Sequence, residues 1–406
     1  MLFWRLAHIH PFQPYRYTAA AGPLERLVTQ PYDKISPEMQ ARYLAQSPYN
    51  LVRIILGERL ATDDERANVY TRAAACLEDW IQQGILAQDA EPAFFAYFQT
   101  FNLPGSTEQL VRTGFIGLGP VEEYSAGIVH RHEQTLSGPK KDRTELLKHT
   151  HAHFGQLFML YADPELTVDE ILHKTAQGEP LATIHDEYGT IHRLWRIAEA
   201  EPLAAIQKAM ADKKLLIADG HHRYETALAF RKTNPNLKDA ERVMMTFVNM
   251  HSPGLKILAT HRVVSGIPNF DADEFLAKLP TARAHGGDRI RIRIAIAGRP
   301  QVYLFERERE PGELDVQVLH EELLGGALGI HPDAVRDEKN IRYVRGEEAA
   351  LELVRSGAAQ IAFLLEPTTM EQVAEVAFGG SVMPQKSTDF YPKLLSGLTI
   401  YKLRDT

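Results

Sequence analysis

Cysteine and long apolar runs are scarce in this chain. One cysteine among 406 residues, Cys76, excludes an intramolecular disulfide and any metal site built from several thiolates. No stretch reaches the roughly 20 apolar residues that a membrane-spanning helix needs, and the first residues lack the charged-then-apolar order of a signal peptide. We therefore expect a cytoplasmic protein with no membrane partner.

Excess positive charge is also missing. The chain has 45 Lys and Arg against 53 Asp and Glu, a formal net charge of -8, which argues against a nucleic-acid footprint along the whole surface. DNA binding should bring a basic recognition helix in a helix-turn-helix, and no segment has that pattern. Nucleic acid is therefore not an expected partner, although the composition leaves room for a local basic patch. The sequence does not indicate an oligomeric state.

What the chain does have is an alternation of strand-like and helix-like segments, which predicts a mixed α/β (α+β) fold. The apolar run 51–56 predicts a strand, and residues 63–83 predict a helix that ends at Gly84. Residues 215–219 predict a short buried strand, followed directly by a helix over 221–233. No repeat and no low-complexity linker marks a domain boundary.

The turn between this last strand and its helix reads DGHHR and is the strongest candidate for chemistry. A helix start leaves N–H groups unpaired and carries partial positive charge, so it binds anions. Gly220 allows a tight turn and the close approach of a ligand, while His221, His222 and Arg223 add donors to the same place. Because cations oppose the dipole at this end of a helix, their placement favours an anion that offsets them.

A purely structural explanation of these residues is also open. Asp219 can cap the helix, Arg223 can pair with Asp219 or Glu225, and the two histidines can fill space. No phosphate-loop or dinucleotide-binding glycine pattern accompanies the turn. The spacing alone therefore does not decide between an anion site and an ordinary helix start.

Two further segments carry side chains that bind anions, although each can equally be solvated surface. One is the basic, helix-like stretch 139–153, with Asp142 available as a helix N-cap. The other is the proline-punctuated loop MPQKSTDFYPK at 383–393. Phosphoryl transfer depends mainly on charge neutralisation. The candidate phosphate ligands are Lys140 and Arg143 in the first segment, and Lys386, Ser387, Thr388 and Lys393 in the second.

Phosphoryl transfer to a hydroxyl also needs a general base that accepts the hydroxyl proton, and three carboxylates are candidates. Asp33 follows an apolar strand and a proline turn and is the first, with Asp219 second and Glu133 third. Each of these carboxylates can instead cap a helix or bind magnesium. The sequence does not separate these roles.

Histidine is a common metal ligand, so the histidine clusters of this chain are candidate metal sites. His130 and His132 with Glu133, together with His149 and His153 at i, i+4 of a predicted helix, could assemble ligands. A chain with 17 histidines produces close pairs by chance, so we expect no dedicated transition-metal site. Magnesium carried in by bound phosphates is the expected ion.

The chain resembles a bacterial family known as DUF1015 and described as ParB-like. The resemblance covers nearly the whole length of the chain, and its motifs occur in the same order as in the family. This sequence departs from the family pattern by its histidines at 149, 151 and 153, so the resemblance gives those positions no role. The blocks that carry the resemblance are HPFQPYRY (10–17), PYDKIS (31–36), NLVRIILG (50–57), HEQTLSGPKKDRTELLKHT (132–150), ADGHHRYETAL (218–228), ATHRVV (259–264) and MPQKSTDFYPKLLSGL (383–398).

The resemblance implies a ParB/sulfiredoxin-like core built from about 1–60 and 205–265. We therefore expect a nucleotide-binding domain over 1–265, with an insertion at about 90–200. A C-terminal α/β portion, 266–406, would close over the site. In this arrangement Asp33 and His221 converge on one pocket.

The resemblance also implies a function, through ParB-like free serine kinases that use a comparable turn for nucleotide phosphates. The expected activity is transfer of a phosphoryl group from ATP or ADP, with Mg²⁺, to the hydroxyl of a small metabolite, free L-serine first. The alternative is a ParB-like nucleotide-binding protein that associates with DNA or acts as a sensor, without kinase activity. The expected site residues are Asp33, Asp219 and His221 for catalysis; Gly220, His221, His222, Arg223, Lys140, Arg143, Lys386, Ser387 and Thr388 for the nucleotide; and His132, Glu133, Arg53 and Lys393 for the substrate.

Overall fold

The structure, a computed structural model, describes residues 7–133, 137–279 and 288–404, with the backbone alone at 137–139. Its helices and sheets form the mixed α/β architecture that the sequence predicts. The chain divides into two compact units, one of residues 1–131, 136–255 and 392–406 and one of residues 132–135 and 256–391. No helix within the described ranges is both long and apolar enough to cross a bilayer. The ParB/sulfiredoxin-like core and its insertion stay predictions.

The first unit contains seven of the α-helices described here. They are α1 (Pro37–Gln46), α2 (Val52–Ile55), α3 (Val69–Gln82), α4 (Ser137–Thr150), α5 (Thr167–Thr175), α6 (Ala200–Met210) and α7 (His221–Thr233). Its strands are β1 (Tyr15–Tyr17), β2 (Leu86–Gln88), β3 (Phe94–Asn102), β4 (Gln109–Pro120), β5 (Val129–His130), β6 (Ala152–His153), β7 (Leu157–Tyr161), β8 (Ala182–His185), β9 (Ile191–Ile197), β10 (Leu215–Asp219), β11 (Arg242–Asn249) and β19 (Tyr401–Lys402).

Eight of these strands form a mixed sheet in the order β5-β10-β7-β11-β4-β3-β9-β8. One face of this sheet packs against α5 and α6 through a core that includes Phe94, Phe115, Leu157 and Phe247, all fully buried. Burying each such side chain contributes roughly 1.5–3 kcal/mol. This apolar face fixes the strand register, because a slip by one residue would turn the core side chains toward the other face.

The other face of the sheet carries a row of polar side chains. His192 on β9 is the cross-strand partner of Gln99 on β3, and Gln99 is the partner of Arg112 on β4. Farther along the same face, Phe158 on β7 is paired with Asp219 at the end of β10. Register alone therefore brings residues that are remote in sequence into one row that ends at the start of α7.

The second unit is built around a five-stranded antiparallel sheet in the order β15-β14-β17-β13-β16. Its strands are β12 (Lys256–Leu258), β13 (Thr260–Val264), β14 (Arg289–Ile296), β15 (Val302–Glu308), β16 (Ile341–Arg345), β17 (Ile361–Leu364) and β18 (Asp389–Tyr391). Its helices are α8 (Ala272–Ala277), α9 (Asp315–Val318), a π-helical segment (Leu319–Ala327), α10 (Pro332–Arg336), α11 (Glu347–Arg355) and α12 (Met370–Phe378).

Two sequence predictions about local structure are wrong: one concerns the type of an element and the other the residue at which a helix begins. Residues 51–56 are not a strand: α2 covers Val52–Ile55, and the Asn50 side chain accepts a hydrogen bond from the Val52 N–H at 2.9 Å. A short run of buried residues has no periodicity that separates helix from strand. The helix predicted to start at 63 begins at Val69, because Asn68 caps it in a capping box.

The basic segment also differs from its prediction. Asp142 lies inside α4 rather than at its N-cap, since the helix already begins at Ser137. His149 and His153 are not on one helix, because α4 ends at Thr150 and His153 belongs to β6. The i, i+4 geometry that suggested paired metal ligands is therefore absent at these two residues.

Candidate functional site

The turn from β10 into α7 requires glycine at its centre. Gly220 has φ +99°, a conformation that side chains with a Cβ adopt only with strain. A Cβ at this position would lie 2.9 Å from both Arg223 Nη2 and Leu157 Cδ2. Gly220 also provides no side-chain cap for α7, so the positive end of the helix dipole faces the turn.

Arg223 is held in a fixed position beside this turn. Its Nη2 donates to Asp219 Oδ2 at 3.1 Å, and its Nη1 donates to the Gln156 carbonyl. The Arg223 guanidinium packs closely against Gly155. A Cβ at position 155 would lie 3.4 Å from Arg223 Nη1. The ion pair that the structural explanation of the turn expected is thus present.

A second cation reaches the same carboxylate. Lys393 Nζ lies 3.7 Å from Asp219 Oδ1, and only 9% of the Lys393 side chain is exposed. Burial alone would raise the pKa of Asp219, but the charges of Lys393, Arg223, Lys34 and His221 outweigh it and hold that pKa well below its ordinary value. Asp219 is therefore a carboxylate at any physiological pH.

Positive charge at this place exceeds the negative charge. Arg112, whose side chain is fully buried, also interacts with Asp219; burial lowers its pKa to about 9, so it stays charged at neutral pH. Besides His221, the side chains of Lys393, Arg223, Lys34 and Arg112 therefore act on Asp219 as cations. The second carboxylate nearby, Asp33, lies 3.9 Å from the Lys34 ammonium. The excess positive charge beside an open helix start is suited to a polyanion.

Asp33 belongs to the neighbouring segment of this site. It lies in a short 3-10 helix, Tyr32–Lys34, and Lys34 interacts electrostatically with Asp219. The pKa of Tyr32 is raised by burial and by Asp33, and the charges that oppose this rise include Arg143 and Arg223. The early PYD segment and the DGHHR turn are therefore neighbours in the first unit.

The Arg112 row fixes the backbone that carries Lys393. Arg112 Nη2 donates to the Pro392 carbonyl at 2.5 Å, and Gln99 Nε2 donates to the Lys393 carbonyl at 2.8 Å. Arg112 also donates to Gln99 Oε1 and lies over the Phe158 ring at 4.6 Å. This network holds the Lys393 segment over the polar face of the sheet.

A buried histidine supports the far end of the network. His192 Nδ1 accepts from the Tyr97 hydroxyl at 2.7 Å, and its Nε2 lies 3.1 Å from Asp186 Oδ2. Burial lowers the pKa of His192 despite the Asp186 carboxylate, so the ring is neutral and donates to Asp186 through Nε2. The Tyr97 hydroxyl in turn faces the Leu395 N–H at 3.5 Å.

Other residues expected in the site have structural partners in the first unit. Arg53 donates to the carbonyls of Leu44 and Ser47. Lys140 lies 3.5 Å from Glu225 Oε2. Arg143 donates to the Ile55 carbonyl at 2.8 Å and stacks over the Tyr32 ring at 4.0 Å; this last contact places it beside the segment of Asp33.

The remaining expected residues belong to the second unit. Glu133 Oε1 accepts from the Lys386 N–H at 2.9 Å, and His132 Nε2 is hydrogen-bonded to Thr388 Oγ1 at 2.8 Å. Ser387 donates to the Pro384 carbonyl. These residues form one cluster among themselves, and their part in nucleotide or substrate binding stays a prediction.

Sequence reasoning did not name Arg112, Gln99, Lys34 or Gln156. An arginine within the apolar strand VRTGFIGLG was a visible signal, because such a strand buries its side chains. Gln156 is fully buried, and neither atom of its side-chain amide has a hydrogen-bond partner among the described residues. As for metals, the described part of the chain holds no group of three His, Cys, Asp or Glu side chains placed to bind an ion.

The family model described as "Protein of unknown function (DUF1015)" matches residues 9–343. No curated protein matches the chain.

Several solved structures are similar at low identity. "Free serine kinase in complex with AMP" is 14% identical, covers 71% of this chain and 90% of its own, and has a TM-score of 0.38. A conserved hypothetical protein from Pyrococcus furiosus is 14% identical, covers 69% of this chain and 93% of its own, and has a TM-score of 0.35. C-terminally truncated SbnI from Staphylococcus aureus is 12% identical, covers 70% of this chain and 87% of its own, and has a TM-score of 0.36. Likenesses this weak assign no activity.

Proposed function

Because this chain belongs to the DUF1015 family of proteins of unknown function, we propose from its own residues that it is a nucleotide-dependent phosphotransferase acting on a small hydroxyl compound. One observation carries the proposal. Cations outnumber carboxylates around Asp219, at the start of a helix that Gly220 precedes and whose first turn carries Arg223. Phosphoryl groups need this combination of fixed positive charge and helix-terminal N–H groups.

In this proposal the nucleotide phosphates bind along the first turn of α7, with His221, His222 and Arg223 as donors. Lys393 and Arg223 neutralise charge on the transferring group, because both already face one carboxylate in the same place. Magnesium, when bound with ATP or ADP, would supply further charge neutralisation. Its oxygen ligands in this chain would be the carboxylates of Asp219 or Asp33, the donor type that Mg²⁺ prefers.

The two carboxylates have different roles. Asp219 is a weak base because the surrounding cations depress its pKa, so it orients the cations. Asp33 is the proposed base. The substrate hydroxyl oxygen attacks the terminal phosphorus, the bond from that phosphorus to the bridging oxygen breaks with its electron pair on the nucleotide, and Asp33 accepts the hydroxyl proton.

The proposed substrate is free L-serine, and the product is O-phosphoserine. This choice comes from the resemblance to ParB-like free serine kinases, which is carried by the residues ADGHHRYETAL. Of the candidate substrate ligands, Arg53 and Lys393 belong to the first unit and carry the positive charge that recognition of the serine carboxylate requires. The contacts of Arg53 with two backbone carbonyls make it the less available of the two.

The test is incubation with ATP or ADP, Mg²⁺ and a panel of hydroxyl metabolites, with products resolved by mass spectrometry. We expect phosphoserine from the wild type and none above background from Asp33→Asn. Glu25→Gln, an exposed acid in the same region of sequence, is the control and should keep activity. Nucleotide binding with no phosphorylated product would instead favour a nucleotide sensor.

A further inference from the structure

A largely apolar cavity opens beside Arg223 within the first unit. Its walls come from the Tyr32 segment, α2, α4, the residues before β7, and α7. The space open to the centres of water molecules is about 60 Å³, which is room for roughly four waters. Planar side chains are prominent in the wall: Tyr32, His153 and Phe154.

One buried hydroxyl in this wall has no partner. The Thr226 side chain is 3% exposed, and its Oγ1 has no hydrogen bond among the described residues. A threonine within a helix commonly donates to the carbonyl four residues earlier. Thr144, Thr150 and Thr175 do so in this protein, at 2.7, 2.7 and 3.0 Å. Thr226 makes no such bond among the described residues, and it lines the cavity.

The cavity shares Arg223 with the proposed phosphate site. Arg223 contributes to its wall while its guanidinium contacts Asp219, and Thr226 follows one turn later on the same helix. His153 adds a second polar group; burial lowers its pKa to about 4, so the ring is neutral and can either donate or accept. Apolar walls with a few fixed polar groups are typical of small-ligand sites.

We propose that this cavity receives the base of the nucleotide whose phosphates bind at Gly220–Arg223, and that Thr226 hydrogen-bonds to that base. This inference rests on the proposed function, because it takes the phosphate site as given. A planar heterocycle fits apolar walls and planar neighbours, and its ring nitrogens or exocyclic groups supply the partner that the hydroxyl lacks. An inorganic phosphate chain has no group for this cavity.

The test separates base from phosphate by titrating ATP and inorganic tripolyphosphate, each with Mg²⁺, in a calorimeter. Wild type should bind ATP at least tenfold more tightly than tripolyphosphate. Thr226→Val, which replaces the hydroxyl by a methyl group, should weaken ATP binding by roughly three- to tenfold and leave tripolyphosphate unchanged. Thr226→Ser should retain wild-type affinity for ATP.

Thr233→Val is the matched control. Thr233 lies on the same helix, and its hydroxyl donates to the Phe230 carbonyl at 3.0 Å, so its loss should not change ATP affinity. Equal binding of ATP and tripolyphosphate by wild type, or an equal loss of both in Thr226→Val, would overturn the base pocket while leaving the phosphate site. Failure of wild type to bind either ligand would overturn the proposed function and this inference with it.

Discussion

Lys393 Nζ and Asp219 Oδ1 lie 3.7 Å apart, although Asp219 ends β10 and Lys393 belongs to the C-terminal segment. The contact exists because Arg112 and Gln99 hold the backbone carbonyls of Pro392 and Lys393, respectively. Positioned in this way, Lys393 loses little side-chain freedom when an anion binds, which lowers the entropic cost of recognition.

Arg223→Ala should weaken ATP binding without loss of the fold. A bidentate, charge-assisted contact to phosphate contributes roughly 1.5–3 kcal/mol, equivalent to about a ten- to hundredfold change in Kd. Lys232→Ala, at the exposed C-terminal end of the same helix, is the control and should bind as wild type. Calorimetric titration with ATP and with ADP measures the effect; equal affinities in Arg223→Ala and wild type would assign Arg223 a structural role.

Gly220→Ala should destabilise the protein more than a change at another glycine with positive φ. Gly189 has φ +80° and open space around its Cβ position, so Gly189→Ala adds backbone strain alone, roughly 1–2 kcal/mol. At Gly220 the added Cβ would also crowd Arg223 and Leu157 at 2.9 Å. Urea unfolding of both variants gives the comparison, and a Gly220→Ala loss no larger than that of Gly189→Ala would count against the close contact.

How much of this site the sequence could predict depends on how local the signal is. The DGHHR turn could be predicted because its strand, glycine and helix follow one another directly in the sequence. In the second unit, the alternation of Ile290, Ile292 and Ile294 with arginines indicates a strand with one buried face, and these isoleucines are fully buried in β14.

Nonlocal features had no such signal. His192 reaches Tyr97 through sheet register. Arg112 reaches a carbonyl 280 residues later in the chain, and no local pattern contains either contact. The helix Val52–Ile55 looked like a strand because a fully buried run has no polar face to show its period. Thr226 gave no signal either, since a lone hydroxyl in a helical sequence is ordinary and only its missing partner is informative.

Asp219 should make stability depend on acid pH. Its folded pKa lies below its ordinary value of about 3.9, so the unfolded chain binds its proton first as pH falls. The stabilisation is therefore fully present above that ordinary value and is lost as pH falls toward the folded value. At pH 5 and low salt, wild type should resist urea better than Asp219→Asn, and this difference should shrink toward pH 3. A difference independent of pH would contradict the argument.

Arg112 should act on ligand binding through Lys393, and a double-mutant cycle can show this. Lys393→Met should weaken ATP binding by removing the ammonium, and Arg112→Met should weaken it by releasing the Pro392 carbonyl that Arg112 holds at 2.5 Å. Because the two residues act in series, the double variant should bind ATP about as weakly as Lys393→Met alone. Contacting or networked residues typically show coupling of roughly 0.5–3 kcal/mol.

Folding must be monitored in the same cycle, since Arg112 is fully buried. Arg112→Lys, which keeps the charge but loses the forked donors, is the milder variant. It should retain most of the melting temperature and still couple to Lys393→Met in ATP titrations. Strictly additive losses in Kd, in variants that remain folded by circular dichroism, would mean that Arg112 does not position Lys393.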